Sequence, residues 1–270
     1  MRILFLGDIV GRAAREAVMR QVPVWRTQYD LDFVIANGEN AAGGFGITPD
    51  IADNLFAAGV DVISTGNHIW DQQAIAGYIA DEPRLLRPVN FPDGTAGRGV
   101  GLYDVGDKRV LVINVMGQLF MESLNEPFAA VERELAACPL GEVADAVIVD
   151  VHAEATSEKM AMGHFCDGRA SLVVGTHTHV PTADAQILPH GTAYQTDAGM
   201  CGDYDSVIGM DKEEPVNRFV TKLRGGRFNA AQGTATVCGV MVETDNKTGL
   251  ATAIHPMRSG GRLFSAAPSL

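Results

Sequence analysis

Five short apolar runs in this chain each stop at residues able to hold a metal ion, and this repeated ending narrows the fold more than anything else in the sequence. Ile3–Leu6 is followed by Gly7-Asp8, Phe33–Ala36 by Asn37-Gly38-Glu39-Asn40, and Val60–Ser64 by Thr65-Gly66-Asn67-His68. Ala146–Val151 is followed by His152, and Leu172–Val174 by Gly175-Thr176-His177-Thr178-His179. Short β-rich runs alternating with helix-like stretches are the pattern of an α/β fold with a buried sheet. Open α/β sheets bind their ligands just beyond the carboxyl ends of the strands. One Asp or His after a strand is an ordinary turn former or helix cap. Five such endings, most with a glycine nearby that lets the backbone approach closely, point to one shared site.

The rest of the chain fits this frame. Arg12–Gln28 has helical composition, and Thr48-Pro49-Asp50 supplies a capping hydroxyl and a first-turn proline. Helices are also expected at Asp71–Ala80, Pro127–Cys138, Ser157–Phe165 and near Asp211–Leu223. Val100–Val105 and Val110–Val115 read as a hairpin around Gly106-Asp107-Lys108-Arg109, with later strands near Ala183–Leu188, Thr234–Glu243 and Ala251–His255. No linker, repeat or low-complexity tract intervenes, so residues 1–270 are read as a single domain.

Composition excludes several classes of function. With 21 basic and 33 acidic residues the net charge is −12, which repels a long nucleic acid. A hydrophobic content of 46% argues against a disordered or fibrous chain. No apolar run approaches the roughly 20 residues that cross a bilayer. Met1–Asp8 reads as a strand and not as a signal peptide. Cys138, Cys166, Cys201 and Cys238 are widely spaced, as expected of reduced, buried thiols. These features predict a cytoplasmic protein with no membrane partner and leave room for a homo-oligomer.

Residue types sharpen the chemistry. In an extended segment, His177 and His179 of His177-Thr178-His179 would face the same side and reach two neighbouring ions. Carboxylate, carboxamide and imidazole without thiolate suit manganese, iron or zinc. Glu39 is the natural bridge, since a carboxylate can lend one oxygen to each of two cations about 3.5–4 Å apart.

The ordered set Gly7-Asp8, Gly38-Glu39-Asn40, Gly66-Asn67-His68, His152 and Gly175-Thr176-His177-Thr178-His179 resembles the calcineurin-like metallophosphoesterases, and within them the bacterial YmdB-like phosphodiesterase branch. The likeness spans nearly the whole chain, including Ile69-Trp70-Asp71 and Asp197-Ala198-Gly199-Met200-Cys201-Gly202. It implies a four-layer α/β/β/α metallophosphoesterase sandwich with mixed sheets. Two positions depart from the wider superfamily: Val10 stands where a histidine is usual, and Glu39 where a second aspartate is usual. Asn40 is the substitute in the YmdB-like pattern. The resemblance implies one ion on Asp8, Glu39, Asn40 and His179, and a second on Glu39, Asn67, His152 and His177. It casts His68 as the general acid, an imidazole beside the reaction centre that protonates a leaving oxygen; the plainer role is orientation of a ligand. The implied activity is that of a di-metal phosphodiesterase hydrolysing small 2′,3′-cyclic, and secondarily 3′,5′-cyclic, mononucleotides. In it, hydroxide bridging two divalent or mixed-valence ions attacks phosphorus.

Two other readings use the same residues. A metal-dependent amidohydrolase also employs a His-x-His pair, although there the pair follows an early strand of a barrel. A metal-binding regulatory protein with little turnover needs the ligands but not the rate. Among the remaining candidates, Gly43-Gly44-Phe45-Gly46 reads as a tight loop, and Gly97–Gly101 leads into a strand, unlike a dinucleotide fingerprint. Cys201 reads as a packing residue; Asp197, Asp203 and Asp205 either contact substrate or cap turns.

Overall fold

The computed structural model describes residues 1–268. Strand β1 (Arg2–Leu6) and the two-residue β2 (Asp8–Ile9) lead into α1 (Gly11–Tyr29), followed by β3 (Phe33–Asn37), α2 (Pro49–Ala57), β4 (Val62–Ser64) and α3 (Ile75–Asp81). The middle of the chain forms β5 (Val100–Val105), β6 (Lys108–Met116), α4 (Pro127–Ala137), β7 (Ala146–His152), α5 (Thr156–Phe165) and β8 (Leu172–Thr176). Short β9 (Gln186–Ile187), β10 (Ala193–Gln195) and β11 (Met200–Cys201) precede α6 (Glu213–Thr221), β12 (Val237–Thr244) and β13 (Ala251–Ser259).

Two mixed sheets result, in the orders β13-β12-β1-β3-β4 and β5-β6-β7-β8-β10-β9. The strands expected to carry the site run parallel: β1, β3 and β4 in the first sheet, β7 and β8 in the second. Side-chain alternation explains why both faces of these strands are apolar. Ile3, Phe5, Phe33, Ile35 and Val62 pack between the sheets against Val110, Val112, Ile148, Leu172 and Val174. The alternate residues Leu4, Leu6, Val34, Ala36 and Ile63 face outward, under Ala14, Val18, Val22 and Trp25 of α1. On the opposite flank, Val131 and Leu135 of α4 and Met162 of α5 cover Leu111, Ile113, Val147 and Val149. The layers are therefore helices, sheet, sheet, helices, which is the expected α/β/β/α sandwich. Two open sheets in place of a closed barrel remove the amidohydrolase reading.

Local chemistry accounts for the element ends. Thr48 caps α2 by accepting from the Ile51 N–H, with Pro49 in the first turn. The β5–β6 turn is tighter than expected, two residues with Gly106 at φ 63°, and Val105 pairs with Lys108. Helix α3 starts at Ile75 and not at Asp71, because the preceding residues are spent on turns that shape the site. The strand expected near Ala183–Leu188 shrinks to β9. Short β2, β10 and β11 had no apolar run long enough to announce them. Among the described residues, no helix is long and apolar enough to cross a membrane.

Candidate metal centre

The carboxyl ends of β1, β3 and β4 meet those of β7 and β8 at one end of the seam between the sheets. Buried Asp150 of β7 ties that seam, accepting from Ser64 Oγ at 2.5 Å and, more weakly, from Asn37 Nδ2 at 3.4 Å, both in the other sheet. Register then places His152 beside Thr176 across β7 and β8.

Glu39, His152 and His177 offer ligand atoms that all lie within 4.8 Å of one another. His152 Nε2 stands 3.0 Å from Glu39 Oε1, 3.0 Å from Asn67 Oδ1 and 3.2 Å from His177 Nδ1. Next to this group, His179 Nε2 is 3.7 Å from Asp8 Oδ1. The His177 backbone N–H donates to the Asp8 carboxylate at 3.2 Å, joining the two halves. Asn40 is buried beside them and donates its amide to the Gly44 carbonyl at 3.0 Å. All seven residues expected to bind metal therefore come together. The expected extended His177-Thr178-His179 segment does not form: His177 and His179 adopt φ of 92° and 67°. The chain bends there, sending one imidazole toward Glu39 and the other toward Asp8, a strained backbone of the sort found at functional sites.

Hydrogen-bond accounting shows that this group fits cations. The Thr176 hydroxyl has one proton, donated to Asp150 Oδ1 at 2.7 Å, so it accepts from His152 Nδ1 at 2.9 Å. His152 Nε2 is thereby turned toward the oxygens of Glu39 and Asn67. Similarly, His179 Nδ1 donates to the Ile208 carbonyl at 2.7 Å, which turns its Nε2 toward Asp8. Asn40 Oδ1 is buried without a hydrogen-bond partner among the described residues. Ring nitrogens aimed at carboxylate and carboxamide oxygens, beside a buried oxygen that lacks a partner, fit a positive charge held between them.

The Glu39 carboxylate draws a positive charge to this spot. Burial alone would raise the Glu39 pKa and lower that of His152; their mutual attraction reverses both, holding Glu39 near 2 and His152 at about 9, so that a cation bound here takes the place of the proton on His152 Nε2. Burial and the neighbouring His152 push His177 down to about 3. Burial raises Asp8, with His179 opposing it.

His68 sits at the mouth. Its backbone N–H donates to Glu39 Oε2 at 2.9 Å, and its ring Nδ1 lies 2.7 Å from Asp71 Oδ2. Gly43-Gly44-Phe45-Gly46 forms the expected tight loop and brings Phe45 edge-on to the His68 ring, with centroids 5.2 Å apart. Glu39, Asn40, His68, His177 and His179 floor a cavity of about 280 Å³ whose walls are apolar: Phe45, Val207, Ile208, Met210, Phe219 and Phe228.

Sequence reading missed several residues that hold this arrangement. Asp150 was embedded in the apolar run Ala146–Val151, and only its polarity within a buried strand marked it, while Thr176 stood without a role between Gly175 and His177; burial raises the Asp150 pKa to about 6. Asp71 lies three residues after His68, the spacing of neighbours on one helical turn. Asp197 is no substrate contact: buried, it pairs with Lys159 at 2.7 Å and accepts from Thr178 N and Oγ1 at 3.1 and 2.7 Å. It thus clamps the bend between His177 and His179. Asp203 caps a turn through the Asp205 N–H, and Asp205 pairs with Lys212 and Arg262. Cys201 is buried with its thiol on the Cys238 carbonyl, and burial raises its pKa well above the ordinary value, which suits packing and not nucleophilic attack. The other cysteines are also free and buried.

Comparison with known proteins places the chain among relatives. The chain is 47% identical over 255 residues to a Bacillus subtilis protein named 2′,3′-cyclic-nucleotide 2′-phosphodiesterase, covering 94% of this chain and 96% of that one. A hypothetical protein from Thermus thermophilus superposes with a TM-score of 0.90 at 46% identity, covering 97% of this chain and all of that one. A structure described as a novel phosphatase from Mycoplasma pneumoniae gives a TM-score of 0.90 at 32% identity, over 96% of this chain and 93% of that one. The more distant NAD nucleotidase of Haemophilus influenzae, at 12% identity and a TM-score of 0.61, shares the fold alone. A family model described as YmdB-like protein matches residues 4–257, and the chain belongs to that family.

Proposed function

We propose that this single-domain chain is a metal-dependent phosphoric diester hydrolase that opens small cyclic nucleotides, 2′,3′-cyclic mononucleotides before 3′,5′-cyclic ones. The observation that carries this reading is the inward turn of His152 Nε2 and His179 Nε2 onto Glu39 and Asp8, with Asn40 Oδ1 left unpartnered among the described residues. Asp8, Glu39, Asn40 and His179 would hold one transition-metal ion, and Glu39, Asn67, His152 and His177 the other. Manganese or iron suits the donor set best, and zinc is tolerated. When bound, such a pair supplies an acidified water and neutralises charge on the phosphoryl group.

The chain's own residues do the rest. Asp71 fixes the His68 ring through Nδ1, leaving Nε2 free to protonate the departing ribose oxygen. Water's oxygen joins phosphorus, the P–O2′ bond breaks, and the proton ends on O2′, leaving a 3′-phosphate. The apolar walls suit the flat face of a base, and an aromatic stacking partner is worth about 1–3 kcal/mol per base. Ring strain in the five-membered 2′,3′-cyclic phosphate lowers its barrier relative to the six-membered ring. The 47% identity to the Bacillus enzyme supports the same ranking.

The test is kcat/KM for 2′,3′-cyclic AMP, 3′,5′-cyclic AMP, 5′-AMP and a short RNA with a free 3′-hydroxyl. The expected order puts 2′,3′-cyclic AMP first; preference for 5′-AMP or the RNA over both cyclic compounds refutes the assignment. Elemental analysis of protein made with ample manganese or iron is expected to find close to two ions per chain. Asn40→Ala should bring that figure toward one, because the Asp8 set has one imidazole where the other has two. A plateau at one ion in the unaltered protein contradicts the two-ion reading.

A further inference from the structure

The cavity over the metal centre does not end at its apolar wall. Pro215, Phe219 and Phe228 close it on one side and also border a second cavity of about 410 Å³. That second space continues along α6 to Arg218, Lys222 and Arg224. The first, at about 280 Å³, lies just under the ~300 Å³ at which ligand pockets begin, so it suits one small unit of a longer ligand.

Charge changes sign along this path. The chain as a whole carries −12, yet between Arg218 and Phe228 it has four basic residues and no acidic one. Arg218 is committed, since it pairs with Glu214 and lies over the Phe228 ring at 3.9 Å. Lys222, Arg224 and Arg227 are exposed and, among the described residues, form no ion pair. Phe219 is 73% exposed, an apolar ring held in water beside these cations. An exposed aromatic next to unpaired cations is the combination that tracks a single strand of nucleic acid, stacking a base and contacting a phosphate. Val216, Val220 and Leu223 continue the exposed apolar face of Phe219; Leu223 borders the second cavity, and none of the three borders the first.

We propose that this groove binds the nucleotide immediately preceding a terminal 2′,3′-cyclic phosphate, so that the protein acts on the 3′ ends of short oligoribonucleotides as well as on free mononucleotides. The terminal base occupies the apolar cavity, the preceding base stacks on Phe219, and the internal phosphodiester meets Lys222 and Arg224. The proposal rests on the phosphodiesterase reading above. It is compatible with repulsion of long polyanions, because the favourable charge is confined to one short segment.

The experiment compares kcat/KM of the metal-loaded protein for 2′,3′-cyclic AMP and for the dinucleotide ApA ending in a 2′,3′-cyclic phosphate. Binding of the products 3′-AMP and ApAp is measured alongside by calorimetry. One stacked base and one phosphate contact lead us to expect about tenfold preference for the dinucleotide in both measurements. In the Lys222→Gln, Arg224→Gln double variant the ratio should fall to near one, and raising the salt concentration should erode the wild-type ratio. A ratio near one in the unaltered protein, or a preference that survives the double substitution, overturns the proposal. So does a dimer that the double variant converts to monomer with the ratio unchanged, since the groove then belongs to a second copy. Failure to turn over either cyclic compound, with 5′-AMP hydrolysed, identifies the phosphodiesterase reading itself as the error.

Discussion

Replacing His68 with alanine lowers turnover of a 2′,3′-cyclic mononucleotide by about 10²–10⁴-fold, the usual worth of a positioned general acid, while leaving the metal content unchanged. The two effects separate because His68 meets the centre in two ways. Its backbone N–H donates to Glu39 Oε2 at 2.9 Å, and alanine keeps that bond. Its ring, held by Asp71 at 2.7 Å and by the edge of Phe45, is what alanine removes. Asp71→Asn should retain part of the rate, since an amide can still orient the ring but cannot stabilise its cation. A substrate with a good leaving group, such as an aryl phosphodiester, needs little protonation and should lose much less in His68→Ala. Loss of metal together with rate would place His68 among the ligands; equal losses on both substrates would make its role structural.

The sequence exposed the site more fully than it exposed the machinery that shapes it. Asp8, Glu39, Asn40, Asn67, His152, His177 and His179 announced themselves because each interrupts or ends an apolar run, where a polar side chain has to have a reason. The strands were legible for the same cause, since burial on both faces leaves near-continuous apolar stretches such as Val147–Val149. Asp150 uses that camouflage in reverse: it lies inside a buried strand, and its partners Ser64 and Asn37 belong to another sheet, more than eighty residues away. No local pattern reports such a pairing. The bend at His177 and His179 was invisible for another reason. Positive φ at histidine is unfavourable locally and is sustained by the tertiary clamp of Asp197 and Lys159 and by the Ile208 carbonyl. The groove along α6 is assembled from residues that look, in the sequence, like an ordinary amphipathic helix and a glycine loop.

The tightness of the centre leads to the last expectation, that Gly66→Ala, which removes no ligand, is as damaging as removing one. A methyl group at position 66 would stand 2.1 Å from His152 Cδ2 and 2.2 Å from its Nε2, far inside contact distance. The ring has no simple retreat: it is wholly buried, its Nδ1 is tied to Thr176, and Thr176 is tied to Asp150. Either His152 swings its Nε2 out of the shared space or the end of β4 backs away, carrying Asn67 with it. Ligand distances in a working metal site hold to about 0.2 Å, and a displacement of about 1 Å near the chemistry costs on the order of 10²-fold in rate. The variant should therefore lose at least that factor in kcat/KM and bind metal less tightly. Overpacking of this kind costs about 1–3 kcal/mol, so the circular dichroism spectrum should persist with a lowered Tm. Gly77→Ala provides the control, since a methyl there meets nothing within 4 Å and sits inside α3, where alanine is favoured. Full metal content and an unaltered rate in Gly66→Ala would mean that His152 can move freely, and that the interlock of Asp150, Thr176 and His152 does not set the geometry of the centre.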